Sequence, residues 1–411
     1  MADAKHYLSA KELREIAREN RKKTREFEKK KRRKVSPETY TTEMKDPDNI
    51  LEIENLHTYF FTDAGTVKSV NGVSFNVPRG KIVGVVGESG CGKSVTSLSV
   101  MQLVQAPQGQ IVEGSIRFRT SDLVYDEKGK PVPVYETKTD KNGKTVPLTQ
   151  TVTDKKGNKT EVPVQKVGKD GLPLFQTEEK VFDIAKMPTA DMRKIRGREI
   201  SMIFQEPMTS LNPVFTIGYQ LDEVVLINTP GATREDARRR SIAMLNEVGI
   251  AMPEAVYKKY PHELSGGMRQ RVMIAMAVAC NPKLIIADEP TPAPGVTIQA
   301  QILDLLKDLK NRINGSIMLI THDLGVIAGM ADYVVVMYAG RIIEQGTVYD
   351  IFDHPCHPYT IGLQKSKPVV NRDVDWLYSI PGRVPNPIDL PDCCYFRDRC
   401  QFCSKACAGG Y

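Results

Sequence analysis

Gly87-Glu88-Ser89-Gly90-Cys91-Gly92-Lys93-Ser94 stands directly after the apolar run Ile82-Val83-Gly84-Val85-Val86. The spacing reads as strand, glycine loop, helix, and the chemistry it suits is the cradling of phosphates. Glycines at 87, 90 and 92 let the backbone turn tightly, so successive N–H groups can point inward where side chains would block the approach. Lys93 supplies a cation for the β/γ-phosphates and Ser94 a hydroxyl for Mg²⁺. A helix opening at Val95 adds the positive end of its dipole. The expected nucleotide set is therefore Gly87, Ser89, Gly90, Cys91, Gly92, Lys93, Ser94 and Val95.

Four further groups match a phosphate reaction. The apolar run Lys283–Asp288 ends in Asp288-Glu289, where Asp288 would bind Mg²⁺ through water and Glu289 would polarise a water attacking the γ-phosphate. Buried carboxylates at a strand end are costly unless a metal or partner compensates them. Gln205 ends the strand Ile200–Phe204, from which an amide reaches Mg²⁺ and the attacking water. His322 follows the strand Ile317–Ile320 and would hydrogen-bond the γ-phosphate and that water. Ser265-Gly266-Gly267, ahead of the apolar helix Val272–Ala279, is a second anion cradle, with unpaired N–H groups and a hydroxyl. Phe60, 27 residues before Gly87, is placed to stack on an adenine, with Tyr59 as fallback.

The elements that position these groups are patterned to match. Residues 50–86 alternate apolar and polar positions, as in Leu51-Glu52-Ile53-Glu54, and turn at Asp63-Ala64-Gly65 and Pro78-Arg79-Gly80. A helical region is expected over Ile217–Gly249, with Arg234 to Arg240 as its charged face. Between Thr120 and Lys186 the composition shifts to Lys, Asp, Gly, Thr, Val and Pro, and a repeat appears. Asp126-Glu127-Lys128-Gly129, Asp140-Lys141-Asn142-Gly143 and Asp154-Lys155-Lys156-Gly157 recur every 14 residues, each followed by Val-Pro. Lys169-Asp170-Gly171-Leu172-Pro173 is a weaker fourth copy. Turn residues between Val/Thr-rich arms predict β-hairpins, with the prolines keeping those strands at edges. An interaction arm and a tolerated surface insertion are equally open readings of this segment.

Composition bounds the rest. The 411 residues suffice for two or three domains, and no run approaches the roughly 18 apolar residues of a membrane span. A cytoplasmic setting is expected. The net charge of +7 is local: residues 1–40 carry 14 Lys/Arg against 7 Asp/Glu, and the remainder is neutral, so no basic groove for nucleic acid is implied. Residues 10–34, ending in Lys29-Lys30-Lys31-Arg32-Arg33-Lys34, read as a solvated helix or disordered arm, either a solubilising tail or a contact for anionic headgroups or RNA. Five of the eight cysteines lie between Cys393 and Cys407, which points to a metal rather than to disulfides.

In this order, the P-loop, Gln205, Ser265-Gly266-Gly267, Asp288-Glu289 and His322 resemble the ATP-binding cassette (ABC) ATPases over residues 50–350, apart from the insertion. The resemblance implies an α/β fold, a P-loop ABC ATPase core in which a RecA-like parallel sheet joins an antiparallel β subdomain and a helical subdomain at about 206–280. To this are added a basic arm (1–49), a β-hairpin insertion (120–186) and a small Cys-rich C-terminal extension (351–411). Phe204-Gln205-Glu206-Pro207-Met208-Thr209-Ser210-Leu211-Asn212-Pro213, His357-Pro358-Tyr359-Thr360 and Ile380-Pro381-Gly382-Arg383-Val384-Pro385-Asn386-Pro387 resemble the ATPase subunits of oligopeptide/dipeptide importers.

That family implies ATP hydrolysis with Mg²⁺ and head-to-tail closure on a sister ATPase, each P-loop facing Ser265, Gly266, Gly267 and Gln270 of the other. It also implies two membrane permeases, an extracytoplasmic peptide-binding protein and a place at the cytoplasmic face of the membrane, with no nucleic acid. The alternative is a soluble ABC ATPase acting on nucleic acid or ribosomes through the basic arm. The C-x5-C-x6-C spacing of Cys394, Cys400 and Cys407 resembles the iron–sulfur extension of the importers, implying a 4Fe-4S cluster with Cys403 as fourth ligand and Cys393 as substitute. Tetrahedral zinc is the alternative metal. One departure stands out: Pro290-Thr291-Pro292-Ala293-Pro294-Gly295 replaces the family's Pro-Thr-Ser/Thr-Ala-Leu-Asp, so the aspartate that reaches across the dimer is missing and unequal sites are expected.

Overall fold

The computed structural model describes residues 9–33, 35–139, 145–153, 159–205, 210–291, 296–366, 378–388, 390–391 and 393–408. The repeat turns at 140–143 and 154–157 and the departing loop at 292–295 lie outside the described residues.

Five short runs rich in Ile, Val, Leu and Met form a parallel sheet in the order Ile200–Ile203, Leu284–Asp288, Ser316–Thr321, Ile82–Val86 and Tyr333–Tyr338. Arg341–Thr347 is added antiparallel at the edge. The runs are mostly apolar and buried because both faces are covered. Ile82 and Val86 pack among the helices on one side, while Val83 and Val85 pack against a second sheet on the other. That second sheet is antiparallel, in the order Thr41–Thr42, Thr177–Asp183, Gly109–Leu123, Asn49–Thr62 and Gly65–Pro78. The alternation expected over 50–86 is present, with Val73, Phe75 and Val77 buried between exposed Ser74 and Asn76.

Because the five strands run parallel, Val86, Ile203, Asp288 and Thr321 all end at one edge, and the loops after them share that edge. Helix Gly266–Val278 packs on the sheet strand Ile200–Ile203, and helices Ile217–Asn228 and Arg234–Glu247 pack on that helix and on each other; their starts are capped by the Ser265, Thr216 and Thr233 hydroxyls. Three expectations are corrected. The P-loop helix begins at Lys93 instead of Val95, with Gly92 as a left-handed N-cap (φ 100°), so the first helical turn carries both Lys93 and Ser94. The second cradle opens its helix at Gly266 and not at Val272. Arg240 is not on a charged outer face: it is buried, donating to the Ala279 carbonyl (2.9 Å) and to Asn281 Oδ1 (3.0 Å).

The basic N-terminal stretch is a docked helix, Ala10–Lys31, which a Ser9/Glu12 capping box starts. Asn20 donates to the carbonyls of Thr62 (2.7 Å) and Gly65 (3.4 Å), Phe27 stacks on Phe61 at 6.0 Å, and Gln110 donates to Glu28 at 2.9 Å. A few positions, Glu28 among them, thus dock a helix most of whose charges face water.

The insertion contains the expected hairpins, Thr137–Thr139 with Thr145–Pro147 and Thr149–Thr153 with Lys159–Pro163. The fourth repeat copy departs from the edge-strand expectation. Leu172 is buried in the helical core, the Gly171 carbonyl accepts from Arg239 (3.0 Å) and Asp170 accepts from Asn281 (2.7 Å).

Candidate active site

The phosphate cradle is built around glycine backbone that no other residue could adopt. At Gly87 (φ 157°) a Cβ would sit 2.2 Å from the Met337 carbonyl oxygen, and at Gly92 one would sit 2.3 Å from that of Ser69. The loop is thus pressed onto its neighbours, with its outer side free for a ligand: Ser89 and Gly90 are exposed. Lys93, only 5% exposed, donates Nζ to the carbonyls of Gly87 (2.7 Å) and Glu88 (3.0 Å) and lies 3.7 Å from Cys91 Sγ. Burial pushes the Cys91 thiol up from its ordinary value, so this residue is a neutral wall of the loop and no nucleophile.

Asp288 faces the first turn of the P-loop helix. The Ser94 hydroxyl donates to its Oδ1 at 3.0 Å and the Ser97 hydroxyl to its Oδ2 at 3.4 Å. Sequence reading missed Ser97, although its i+3 spacing from Ser94 puts both hydroxyls on one helix face. Burial pushes the Asp288 carboxyl above its ordinary value; the two hydroxyls pull it back, and neighbouring Glu289 adds repulsion. A hydroxyl and a carboxylate at this separation are hard oxygen donors that suit Mg²⁺, which keeps waters and takes substrate phosphates for its other positions.

The buried charge has a measurable consequence. A carboxyl whose folded-state value is raised takes stability away as pH climbs above its ordinary value of 3.8. Asp288→Asn is therefore expected to raise the thermal midpoint of the nucleotide-free chain at neutral pH, on the order of 2 °C, while abolishing Mg²⁺-dependent hydrolysis. The gain should vanish as pH falls to about 4; an unchanged or lowered midpoint at pH 7 in a thermal scan would contradict it.

The other three predicted groups meet at one carboxylate. Gln205 Nε2 donates to Glu289 Oε2 at 2.9 Å, and His322 Nδ1 lies 3.2 Å from Glu289 Oε1. Glu289 sits in the left-handed region (φ 46°), unusual for a residue with a side chain, with its N–H bonded to the Ile320 carbonyl at 2.9 Å. That turn swings Glu289 out of the strand toward Gln205 and His322 while Asp288 stays 5% exposed beneath. The arrangement separates a carboxylate facing the P-loop helix from one facing Gln205 and His322. Gln205 is bonded to Glu289 and not to the Ser94–Asp288 pair that it was also expected to join.

Ser265 and Gly266 are exposed at their helix start, the Ser265 hydroxyl accepts from Met268 N–H (3.3 Å), and a Cβ on Gly266 would meet nothing within 4 Å. The surface is open to a ligand or a second molecule. Gln270 is corrected: it is fully buried and donates to the Pro290 carbonyl, so its side chain braces the turn after Glu289 and does not face outward. Phe60 is half-buried with its ring edge toward Gly109, and Tyr59 donates to Asn71 Oδ1 at 2.8 Å.

The cysteines do not form the expected ligand set. Cys393 is buried in the apolar core, with Cys394 and Cys400 against it, whereas Cys403 is exposed. The Cys394 N–H reaches the Cys407 carbonyl at 3.2 Å, so the segment folds back on itself. Among the described residues no group of three or more His, Cys, Asp or Glu is arranged to hold a metal ion. Neither iron–sulfur nor zinc fits the side chains as placed. Nor is any helix among the described residues long and apolar enough to cross a membrane.

Residues missed by sequence reading lie beside the P-loop. Glu88 accepts a bidentate pair from Arg399 and donates its N–H to the Tyr359 hydroxyl. No short-range signal marks an ion pair between residues 311 apart in sequence.

Comparison with known proteins agrees with this geometry. The ABC transporter family profile matches residues 70–292, and that of the oligopeptide/dipeptide transporter C-terminal region matches residues 343–407. The chain is 45% identical to the oligopeptide transport ATP-binding protein AppD of Bacillus subtilis over 87% of its length and 90% of the relative. It is 42% identical to the oligopeptide transport ATP-binding protein OppD of Haemophilus influenzae, covering 87% and 91%. With the dipeptide transport ATP-binding protein DppD of Lactococcus lactis it shares 41%, covering 86% and 84%. The dimeric, post-hydrolysis ATP-binding cassette MJ0796 bound to ADP and Pi superposes with a TM-score of 0.51 at 21% identity, over 72% of this chain and 98% of the other, which shows the shared fold. These likenesses do not favour the nucleic-acid alternative. The parallel sheet, its strand-end carboxylates and both profile matches place the chain in the ABC transporter family, among its oligopeptide/dipeptide transport ATP-binding proteins.

Proposed function

We propose that this chain hydrolyses ATP to power peptide import through a membrane complex, closing head to tail on a sister ATPase at the cytoplasmic face. The observation that carries the reading is the meeting of Gln205, Glu289 and His322 beside the Ser94–Asp288 pair at the mouth of the P-loop. Glu289 orients and polarises the attacking water, with Gln205 and His322 holding its two oxygens apart. Lys93 and the loop N–H groups take the β/γ-phosphates. Ser94 and Asp288 would hold Mg²⁺, which when bound would supply positive charge at those phosphates. Phe60 stacks on the adenine. The Ser265-Gly266-Gly267 start, with Ser265 and Gly266 exposed, faces the γ-phosphate of the sister subunit, and two permeases and an extracytoplasmic peptide-binding protein complete the complex.

The sister is a different chain, because Gly295 lacks the carboxylate that the opposite P-loop would use, and a partner with its own Asp there restores one full site. Co-purification with peptide-importer permeases from the same genome, followed by ATPase assay, tests the reading. Hydrolysis stimulated by peptide-loaded binding protein is expected. Hydrolysis stimulated by DNA or ribosomes, with no response to permeases, would overturn it.

The Cys-rich end is the finer part of the proposal. The C-x5-C-x2-C-x3-C spacing of Cys394, Cys400, Cys403 and Cys407 supports a 4Fe-4S cluster, although the thiols as placed form no ligand set. Protein purified without oxygen is then brown, with a broad visible absorption lost in Cys400→Ser. Colourless protein with stoichiometric zinc would replace the cluster with zinc, and colourless, metal-free protein would remove both.

A further inference from the structure

Glu88 has all of its polar groups engaged. Its carbonyl accepts from Lys93 (3.0 Å), its N–H donates to the Tyr359 hydroxyl (2.8 Å), and its two carboxylate oxygens accept from Arg399 (2.7 and 3.1 Å). Two of these three partners come from the C-terminal part of the chain. The Arg399 side chain is itself fixed: 5% exposed, it lies over the rings of Tyr338 (5.7 Å) and Phe396 (5.8 Å) and donates to the carbonyls of Pro381 (2.9 Å) and Ile380 (3.3 Å). Tyr359 is wholly buried against the same Tyr338 and Phe396 rings. A planar guanidinium held this way presents a rigid fork to a carboxylate, which a lysine would not.

The charge arithmetic of the loop gives this contact a purpose. A free carboxylate at the rim of a cradle for a polyanion repels the ligand, and it would also compete for Lys93. Bonded to Arg399, Glu88 is neutralised and its backbone is fixed from both sides. Because Lys93 Nζ rests on the carbonyls of Gly87 and Glu88, any shift of Glu88 displaces the lysine as well.

We propose that Arg399 is a positioning residue for nucleotide binding: by holding and neutralising Glu88 it keeps the P-loop in its phosphate-receiving form. ATP affinity thereby depends on the seating of the C-terminal segment. The inference rests on the reading of Gly87–Ser94 as the ATP site.

The test is a double-mutant cycle on the full-length chain, titrated with a fluorescent ATP analogue and Mg²⁺. Arg399→Ala is expected to weaken binding about tenfold, and Arg399→Lys, which keeps the charge but loses the fork, about threefold. Glu88→Gln, which loses the charge and half of the fork, is expected to weaken binding about threefold, and in that background Arg399→Ala should add less than about twofold. A merely structural arginine would lose its Tyr338, Phe396, Pro381 and Ile380 contacts in either background. Equal losses with and without Glu88→Gln would therefore overturn the clamp, as would unchanged affinity in Arg399→Lys. Failure of the unsubstituted chain to bind the analogue would overturn the ATP-site reading itself.

Discussion

Glu289→Gln, in the assembled complex, lowers kcat by about 100-fold or more and leaves ATP affinity within about threefold. A positioned general base contributes on that order, and removing a group that acts on the attacking water alters the transition state more than the ground state. The fold tolerates the change. Glu289 Oε2 accepts from Gln205 and Oε1 faces His322 Nδ1, and a glutamine amide can still accept from one of them while turning its NH2 to the other. The backbone turn at Glu289 is held by the Ile320 carbonyl, a contact that the substitution leaves intact. Single-turnover hydrolysis measured beside nucleotide binding separates the two effects. Full turnover in Glu289→Gln would remove the role given to this residue, and parallel loss of binding and turnover would make it a binding group.

Lys93→Ala fails one step earlier, at binding. The lysine brings the cation nearest the phosphates, and losing charge-assisted hydrogen bonds to the β/γ-oxygens costs about 3 kcal/mol or more, over a hundredfold in affinity. Its Nζ also ties the carbonyls of Gly87 and Glu88, so the emptied position relaxes the loop. Titration with ATP and Mg²⁺ should show no saturation at concentrations that fill the unsubstituted chain. Retained affinity would mean that the loop N–H groups and Ser94 hold the nucleotide without it.

The parts of this site that were legible in the sequence share one physical property: local backbone chemistry fixes them. Three glycines at set spacing after an apolar strand leave little besides a tight turn, and the structure shows why, since a Cβ at Gly87 or Gly92 would strike backbone oxygen. Asp288, Gln205 and His322 were legible because each ends an apolar run, and parallel strands deliver their C-terminal ends to one edge.

What escaped depended on contacts between distant segments. Gln270 follows a glycine pair that faces outward, and only the packing of its helix on the sheet turns its amide inward to Pro290. The N-terminal arm looks solvated by composition because the groups that dock it, Asn20 and Phe27, are two among many charges. Leu172 belongs to a repeat whose first copy, Asp126–Gly129, is exposed, and it is buried because Arg239 and Asn281 hold the turn around it. The cysteines invert the lesson: their spacing is a strong local signal, yet packing of Cys393, Cys394 and Cys400 against the core gives no ligand set.

The central claim is that hydrolysis at this site drives peptide across a membrane. Its direct measurement is uptake of a labelled oligopeptide into vesicles carrying the reconstituted complex, with ATP and Mg²⁺ on the face bearing this chain and binding protein on the other. The account predicts uptake against a gradient that requires ATP and disappears in Glu289→Gln although the complex assembles. Uptake of the same extent in Glu289→Gln, or hydrolysis with no accumulation under any peptide tried, would contradict it.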